Sequence, residues 1–400
     1  MASEIKTAET NAAAPAPSAV HPAGKNAAEI EAEYNGVLTV DLDAIVTNWR
    51  LLQKTATPAQ CSAVVKADGY GLGAVPIAKA LAAAGCKTFF VATLHEARAL
   101  RAAVAEPEIY VLDGFFAGCG EIYASLNARP VIGGLTELAE WDAFCSASGW
   151  RGGAALHIDT GMNRLGLTPD EADSLLPRVR QGDHGFTLVI SHLVTAENRN
   201  SSINARQVAT FRAIASQFSG IPAALANSSG IFLGGNFLFD MVRPGAALYG
   251  INPTPEAKNP MQQVVTLTAR IAHVREVARG DTVGYGATWT ARRQTRIAII
   301  TSGYADGYFR AAGGVDGVRS AEVVIAGERC PVAGRISMDL TAIDVTDLPP
   351  NAARRGQMAT LLGEGITVDE LARHFGTIAY EVLTSLGPRY ARVYRGGGTQ

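Results

Sequence analysis

The sequence predicts an α/β protein in which an N-terminal (β/α)8 barrel of the TIM type precedes a C-terminal, mainly antiparallel β domain. Three observations predict this fold. Short apolar runs alternate with amphipathic stretches, eight such runs lie between residues 63 and 243, and the pattern changes near residue 262. An open doubly wound sheet is the alternative, but no G-x-G-x-x-G sequence opens a helix after the first strand.

The predicted barrel strands are short apolar runs that each end in a polar residue or a glycine. They are Ala63–Lys66, Phe89–Ala92, Ile109–Leu112, Pro130–Ile132, Ala154–Ile158, Thr187–Ser191, Ala223–Ala226 and Asp240–Arg243. Alanine- and leucine-rich stretches between them predict helices over residues 74–85, 94–105, 135–147, 169–180 and 205–218. Strands that alternate with helices pair in parallel, and eight such units close a barrel of about 250 residues.

From about residue 262 the chain consists of short β-branched stretches broken by glycines, which is typical of antiparallel strands and turns. One short helix is predicted near "TVDELARHFG", with Thr367 as its N-cap. The proline-rich "NPTPEAKNP" marks the boundary between the domains. We therefore assign residues 1–35 to a disordered Ala/Pro-rich tail, 36–260 to the barrel domain and 261–400 to the β domain.

Composition narrows the class of protein. The chain is 48% hydrophobic and carries a formal net charge of −2, with no Lys/Arg block that would neutralise phosphates, so we expect no nucleic-acid partner. No apolar run approaches the length that spans a bilayer, and the N-terminus lacks the apolar core of a signal peptide. The five cysteines are scattered without a C-x-x-C pair, which favours a reducing, cytoplasmic location and no metal site.

Polar residues stand where the predicted barrel strands end. They are Lys66, Asp113, Asp159, His192, Asn227, Ser228 and Arg243. In barrel enzymes the chemistry lies at the carboxyl ends of the strands. Lys66 is the most informative of them because an ammonium at the end of a β-branched run is costly to bury unless it is paired, neutralised or covalently bound.

Nine short motifs carry a resemblance to a known family. They are "AVVKADGYGLG", "HIDTGMNRLG", "SHLVTAE", "NSSG", "MVRPGAALYG", "VGYGATWT", "SGYADG", "GRISMD" and "AYE". In this order and approximate spacing they resemble the alanine racemases, from about residue 37 to the C-terminus. The resemblance implies a pyridoxal 5'-phosphate enzyme with a (β/α)8 barrel and a β domain. It also implies a homodimer that interconverts L- and D-alanine, either to supply D-alanine for peptidoglycan or to recover L-alanine.

The resemblance also assigns the cofactor site. Lys66 matches the lysine that holds the cofactor as a Schiff base, which requires an amine with a depressed pKa. The positions that match the family's phosphate-binding residues are Tyr70, Ser228, Gly245, Ala246 and Tyr380. Hydroxyl groups and backbone N–H groups suit a phosphate that is held without heavy charge.

Two further residues match groups beside the pyridine ring. Arg243 matches the arginine that faces the ring nitrogen, and because a guanidinium does not give up its proton, the nitrogen stays largely unprotonated. The ring is then a weaker electron sink, which limits side reactions such as transamination. His192 matches a histidine that lies beside the ring and is linked to Arg243.

Racemisation removes a proton from one face of the α-carbon and delivers another to the opposite face, so two bases are expected. By resemblance, Lys66 is one base, and Tyr285 of the partner subunit is the second, linked through His192 to Arg243. Arg164 matches the arginine that orients the substrate carboxylate, and the backbone N–H of Met338 meets the same carboxylate. Tyr304 and Asp339 are expected at the entrance.

One position departs from the family pattern. The family commonly has a lysine, often carbamylated, two residues before the aspartate of "DTGM", and this chain has His157 there. A histidine is neutral or positive near pH 7 and cannot supply the carbamate's negative charge. We therefore expect Arg164 to be held by Asp159 or by a bound anion such as chloride.

Other functions fit parts of the same pattern. A racemase of broader specificity, acting on serine, lysine or arginine, would use the same catalytic residues. A barrel pyridoxal-phosphate decarboxylase typically has an acidic residue at the ring nitrogen, so Arg243 disfavours it. Cofactor-binding barrel proteins without turnover usually lack the second domain that carries Tyr285, and a cofactor-free Schiff-base aldolase is the remotest alternative.

Overall fold

The computed structural model describes residues 25–182, 185–318 and 320–397. Most of the predicted N-terminal tail, residues 1–24, lies outside the described residues. Its last part is a helix over Ala27–Glu33, so the prediction of a tail up to residue 35 is wrong there. The helix begins with a capping box, in which Asn26 Oδ1 accepts the Glu29 N–H at 3.0 Å and Glu29 Oε2 accepts the Asn26 N–H at 2.7 Å.

The strands of the described chain are β1 (Gly36–Asp41), β2 (Gln60–Cys61), β3 (Ala63–Val64), β4 (Thr88–Val91), β5 (Glu108–Val111), β6 (Ala128–Ile132), β7 (Ala154–His157), β8 (Phe186–Ile190), β9 (Ala223–Ala224), β10 (Met241–Val242), β11 (Val265–Val277), β12 (Thr282–Val283), β13 (Trp289–Thr290), β14 (Thr295–Ile300), β15 (Glu322–Ile325), β16 (Glu328–Pro331), β17 (Thr341–Asp344), β18 (Met358–Leu362) and β19 (Ala391–Arg395). The helices are α1 (Ala27–Glu33), α2 (Leu42–Ala56), α3 (Lys66–Tyr70), α4 (Ala74–Ala83), α5 (Leu94–Ala103), α6 (Gly120–Leu126), α7 (Leu135–Ser148), α8 (Pro169–Ser174), α9 (Leu176–Arg180), α10 (Ser202–Ala215), α11 (Val368–Phe375) and α12 (Ala379–Thr384).

The first sheet is the predicted barrel. Its hydrogen-bonded order runs from β2 through β10, β9, β8, β7, β6, β5 and β4 to β3, with every pair parallel. Only Ser62 separates β2 from β3, so these two segments are one interrupted strand that pairs with β10 on one side and β4 on the other. The sheet therefore closes on itself with eight strands. Strand β4 is buried along its whole length, as expected where both faces of a parallel sheet are covered.

The second sheet is mainly antiparallel, as predicted, and β11 lies at its centre. Strand β11 pairs antiparallel with β1, β14 and β18, whereas β1 and β19 are parallel. Strand β1 was grouped with the barrel residues in the sequence analysis, but its hydrogen bonds are to the second sheet. After α1 the described chain thus passes through the second sheet at β1, enters the barrel through α2, and returns to the second sheet at β11.

Two helix predictions need correction. The helix predicted over residues 169–180 is two helices, α8 and α9, which meet at Leu175. Pro177 has no N–H to continue the hydrogen-bonding pattern of α8. Helix α12, which carries Tyr380, was not predicted, whereas α11 begins at the predicted N-cap, since Thr367 accepts the Glu370 N–H.

No helix among the described residues is long and apolar enough to cross a membrane.

A buried asparagine joins α2 to the segment that connects the two sheets. Asn48 is 1% exposed, its Nδ2 donates to the carbonyls of Leu248 at 3.2 Å and Gln262 at 2.9 Å, and its Oδ1 accepts the Gln262 N–H at 2.7 Å. Replacing Asn48 by alanine removes three hydrogen bonds, one of them to the buried carbonyl of Leu248 and two to the part-buried backbone of Gln262. We expect Asn48→Ala to lower the free energy of unfolding by about 2–4 kcal/mol in urea titrations.

Gln53→Ala is the matched control because Gln53 lies on the exposed side of the same helix. It should change the free energy of unfolding by less than about 0.5 kcal/mol. Equal losses in the two variants would contradict the importance of this buried contact.

Candidate active site

A cleft of about 950 Å³ opens at the carboxyl ends of the barrel strands. Asp113, Asn227 and His157 line it, together with nine of the residues that the family resemblance assigns to the site. These nine are Lys66, Tyr70, Arg164, His192, Ser228, Arg243, Gly245, Ala246 and Tyr380. Tyr380 comes from α12, beyond the barrel, so the second domain contributes to the wall of the cleft.

Lys66 follows the buried Val65 directly and is itself half-buried. Burial lowers the pKa of its amine, and the positive charges of Arg164 and Arg243 lower it further. The carboxylates of Glu96 and Asp113 act in the opposite direction without reversing the shift. The Lys66 amine is therefore more readily neutral, and more nucleophilic, than an exposed lysine.

One end of the cleft is lined by hydroxyl groups and backbone N–H groups. Ser228 Oγ accepts the N–H groups of Gly245 and Ala247, each at 3.1 Å. A Cβ atom at residue 245 would lie 2.4 Å from the Tyr70 Oη, so only glycine lets the phenol approach this backbone. Tyr70 stacks on Tyr249 with the ring centroids 4.5 Å apart. Burial raises the pKa of Tyr70, which keeps its phenol protonated as a hydrogen-bond donor.

Arg243 is buried at the base of the cleft. It is 5% exposed, its Nη2 donates to the Ser191 carbonyl, and its guanidinium carbon lies 5.7 Å from the centre of the Phe90 ring. Burial lowers the pKa of Arg243 to about 10, so it remains a cation near pH 7. Its Nε is buried and has no hydrogen-bond partner in the described chain, which leaves one donor for a group that is not part of the protein.

Two imidazoles share the cleft with these cations. Burial, followed by the charge of Arg243, lowers the pKa of His192 to about 3 and that of His157 to about 4. Both rings are therefore neutral near pH 7. His157 consequently contributes no charge beside Arg164.

The structure contradicts one of the two partners predicted for Arg164. Asp159 Oδ1 accepts the N–H groups of Gly161 at 2.9 Å, Met162 at 2.9 Å and Asn163 at 3.2 Å, and Oδ2 accepts that of Asn163 at 3.0 Å. The carboxylate thus folds the loop that carries Arg164 and forms no ion pair with its guanidinium in the described chain. The prediction that Asp159 holds Arg164 is wrong. That a bound anion such as chloride holds Arg164 stays a prediction.

Two predicted site residues do not line the cleft of their own chain. Tyr285 is 68% exposed, at a turn between β12 and β13, and Met338 is 54% exposed. Tyr304, expected at the entrance, is 42% exposed and is also absent from the cleft wall. All three belong to the second domain and face away from the protein interior.

Sequence reasoning missed three residues that bear on the cleft. Tyr249 supports Tyr70 and donates from its hydroxyl to the Val64 carbonyl at 2.9 Å. Glu197 lines the cleft, and Glu96 accepts the N–H of the residue after Lys66. Each had a sequence signal, since Tyr249 and Glu197 lie in the quoted motifs "MVRPGAALYG" and "SHLVTAE", and Thr93 and Glu96 have the spacing of a capping box.

Comparison with known proteins identifies the family. The profile described as "Alanine racemase, N-terminal domain" matches residues 40–253, and that described as "Alanine racemase, C-terminal domain" matches residues 264–394. The chain belongs to the alanine racemase family. The family resemblance predicted from the motifs is confirmed, and with it a pyridoxal-phosphate-dependent isomerase with a barrel and a β domain.

Individual relatives agree over most of the chain. A curated alanine racemase from Methylobacterium sp. (strain 4-46) is 52% identical over 89% of this chain and 97% of its own length. The crystal structure of alanine racemase from Bartonella henselae with covalently bound pyridoxal phosphate is 37% identical, has a TM-score of 0.85, and covers 90% of this chain and 99% of its own. That of the biosynthetic enzyme from Pseudomonas aeruginosa is 35% identical, has a TM-score of 0.82, and covers 91% of this chain and 100% of its own.

The residues of the cleft fit this cofactor. A nucleophilic amine, Lys66, is present for an aldehyde, and the unpartnered Arg243 Nε is present for a buried acceptor such as a ring nitrogen. The hydroxyl groups of Tyr70 and Ser228 and the glycine backbone between them suit a phosphate.

The close approach of Tyr70 to Gly245 gives a direct test of the phosphate end. In Gly245→Ala the new methyl group displaces the Tyr70 phenol, so we expect the half-saturating concentration of pyridoxal phosphate to rise at least about tenfold, as for the loss of one good hydrogen bond to a charged group. This concentration is measured from the visible absorbance of the bound cofactor as the protein is titrated with pyridoxal phosphate. Gly235→Ala is the control because a Cβ there meets no atom within 4 Å. Unchanged cofactor binding in Gly245→Ala would contradict the assignment.

Proposed function

We propose that the chain racemises alanine with two bases on opposite faces of the α-carbon, Lys66 of one subunit and Tyr285 of the partner subunit. The observation that carries this proposal is the position of the two residues. Lys66 lines the barrel cleft with a depressed pKa, whereas Tyr285 is 68% exposed on the second domain and does not line the cleft of its own chain. A homodimer that brings a second domain over each barrel would place one base on each side of the substrate.

The residues that would hold pyridoxal phosphate are Lys66, Tyr70, His192, Ser228, Arg243, Gly245, Ala246 and Tyr380. When bound, the cofactor makes the α-hydrogen of the amino acid acidic enough for a side-chain base to remove. Arg243 keeps its positive charge near pH 7. Its Nε, which has no hydrogen-bond partner among the described residues, would donate to the ring nitrogen of the cofactor.

Lys66 supplies the first base. Since burial and two nearby guanidinium groups lower its pKa, a larger fraction of the amine is neutral near pH 7 than in an exposed lysine, and a neutral amine can accept a proton. Arg164 stands at the exposed side of the cleft with no ion-pair partner among the described residues, so its guanidinium is available to bind the substrate carboxylate.

Tyr285 supplies the second base from a turn between two glycines. Gly284 and Gly286 on either side of it have φ values of 80° and 77°, which glycine adopts without strain. A Cβ atom at Gly286 would lie 2.9 Å from the Arg335 Nη1, so the turn packs tightly against that side chain. This geometry presents the Tyr285 phenol outward, where a partner subunit can receive it.

Tyr304 and Met338 would accompany Tyr285 into the partner's cleft. The loops that carry them are joined by two hydrogen bonds, from the Tyr304 N–H to the Ser337 carbonyl at 3.1 Å and from the Ala305 N–H to the Met338 carbonyl at 3.0 Å. They therefore form one surface, with exposed apolar side chains that a dimer interface would cover.

An isomerase does not move the equilibrium between its substrates. We therefore assign the enzyme either the supply of D-alanine for peptidoglycan or the recovery of L-alanine, according to which enantiomer accumulates. A cytoplasmic location is part of the proposal, supported by five cysteines that are all free thiols.

If the two bases act on opposite faces of the α-carbon, loss of one base should affect racemisation and α-hydrogen exchange differently. Wild-type enzyme with pyridoxal phosphate should abolish the circular-dichroism signal of L-alanine, and Tyr285→Phe should slow this at least about 100-fold, the usual contribution of a general acid–base group. In D2O, Tyr285→Phe should still exchange the α-hydrogen of one enantiomer, through Lys66, as measured by proton NMR. Lys66→Ala should lose both racemisation and exchange.

Tyr34→Phe is the control because it removes a phenol that lies outside the cleft. A flat circular-dichroism trace from the wild-type holoenzyme would reject alanine as substrate. Racemisation by Tyr285→Phe at the wild-type rate would reject Tyr285 as a base.

A further inference from the structure

The backbone that follows Lys66 has an unusual conformation. Four consecutive residues, Ala67, Asp68, Gly69 and Tyr70, have φ values between 51° and 63°. This left-handed conformation crowds the Cβ atom of every residue except glycine, so three of the four are strained. The strained turn joins the lysine of the cleft to the tyrosine of the phosphate end, and the surrounding structure must hold it in place.

Two carboxylates hold this turn. Asp68 belongs to it, and its Oδ1 accepts the Ala74 N–H at 2.8 Å. Glu96 reaches it from the first turn of α5, and its Oε1 accepts the Ala67 N–H at 2.7 Å. The other oxygen of Glu96, Oε2, accepts the N–H groups of Ala92 at 2.7 Å and Thr93 at 3.3 Å. Glu96 therefore ties the peptide directly after Lys66 to the end of the neighbouring strand β4.

The same arrangement occurs once more around the barrel. Glu137, in the first turn of α7, accepts the Phe115 N–H at 2.6 Å and the Gly133 N–H at 2.7 Å. It thereby ties the loop after β5 to the end of β6. The loop that Glu137 holds contains no lysine, and its Asp113, which acts on Lys66 through its charge, keeps that charge in Glu137→Gln, so this residue offers a matched comparison for Glu96.

We propose that Glu96 is a positioning residue for Lys66. It fixes the direction in which the amine enters the cleft, and it places a negative charge near the cations of the cleft. This inference rests on the proposed function, in which Lys66 binds the cofactor and acts as a base. A carboxylate is required because both oxygens accept N–H groups. A glutamine has one accepting oxygen, and its NH2 group would face an N–H donor.

The charge of Glu96 also acts on Lys66. The charged groups that face the Lys66 amine are Arg164 and Arg243, which lower its pKa, and Glu96 and Asp113, which raise it. His192, whose imidazole is neutral near pH 7, also faces the amine. Removing the charge of Glu96 lowers the pKa of Lys66 further. The neutral amine then persists to lower pH, so the acidic limb of the kcat profile should move to lower pH.

The test compares Glu96→Gln with Glu137→Gln as holoenzymes. We expect Glu96→Gln to lower kcat at least about tenfold, as misplacement of a reacting group does, to shift the acidic limb of kcat to lower pH, and to speed the loss of cofactor on dialysis. Glu137→Gln should lower the thermal midpoint to a similar degree but leave the acidic limb and the rate of cofactor loss unchanged. Similar changes in the acidic limb and in cofactor loss in both variants, or in neither, would overturn the inference.

A second substitution separates positioning from folding. Ala67→Gly removes the strain of the left-handed conformation, so in the Glu96→Gln background it should restore part of both the thermal midpoint and kcat. Recovery of the thermal midpoint without any recovery of kcat would contradict positioning. Cofactor loss is measured without substrate, so it tests this inference even if the wild-type protein fails to racemise alanine, which would overturn only the proposed function.

Discussion

Three cations, Lys66, Arg164 and Arg243, line one cleft at the carboxyl ends of the barrel strands, and none of them forms an ion pair with a carboxylate in the described chain. Their own burial is the largest cause that lowers the pKa values of Lys66, His157 and His192, and the charges of Arg164 and Arg243 lower them further. Because neither guanidinium is paired with one of the carboxylates that also line the cleft, both favour an anionic ligand such as a phosphate or a carboxylate. Both the nucleophilic amine and the binding of anions therefore follow from one electrostatic arrangement.

Most of the barrel was predictable because a parallel sheet buried on both faces leaves a strong sequence signal. The eight apolar runs coincide with the observed strands to within about two residues. The position of β1 in the second sheet was not predictable, because its partners β11 and β19 lie more than two hundred residues away in the sequence. The pattern of residues within a strand does not indicate which distant strand it pairs with. Helix α12 has six residues, too few to show a helical period.

The candidate site was predictable where a residue type is costly in its position, as for Lys66 at the end of an apolar run. It was not predictable where the partner of a group depends on the tertiary structure. Asp159 was expected to bind Arg164, yet its oxygens are taken by backbone N–H groups of its own loop. Glu96 shows the spacing of a helix cap, but its contact with the turn after Lys66 arises only when neighbouring barrel strands pair.

Hybrid dimers test directly whether each active site is completed by two copies of the chain. Lys66→Ala and Tyr285→Phe enzymes, each inactive alone, are dissociated, mixed in equal amounts and reassociated with pyridoxal phosphate. If each site takes Lys66 from one subunit and Tyr285 from the other, every hybrid has one intact site, and the mixture should regain about a quarter of the wild-type racemase activity. Hybrids that form and show no activity would contradict the shared site.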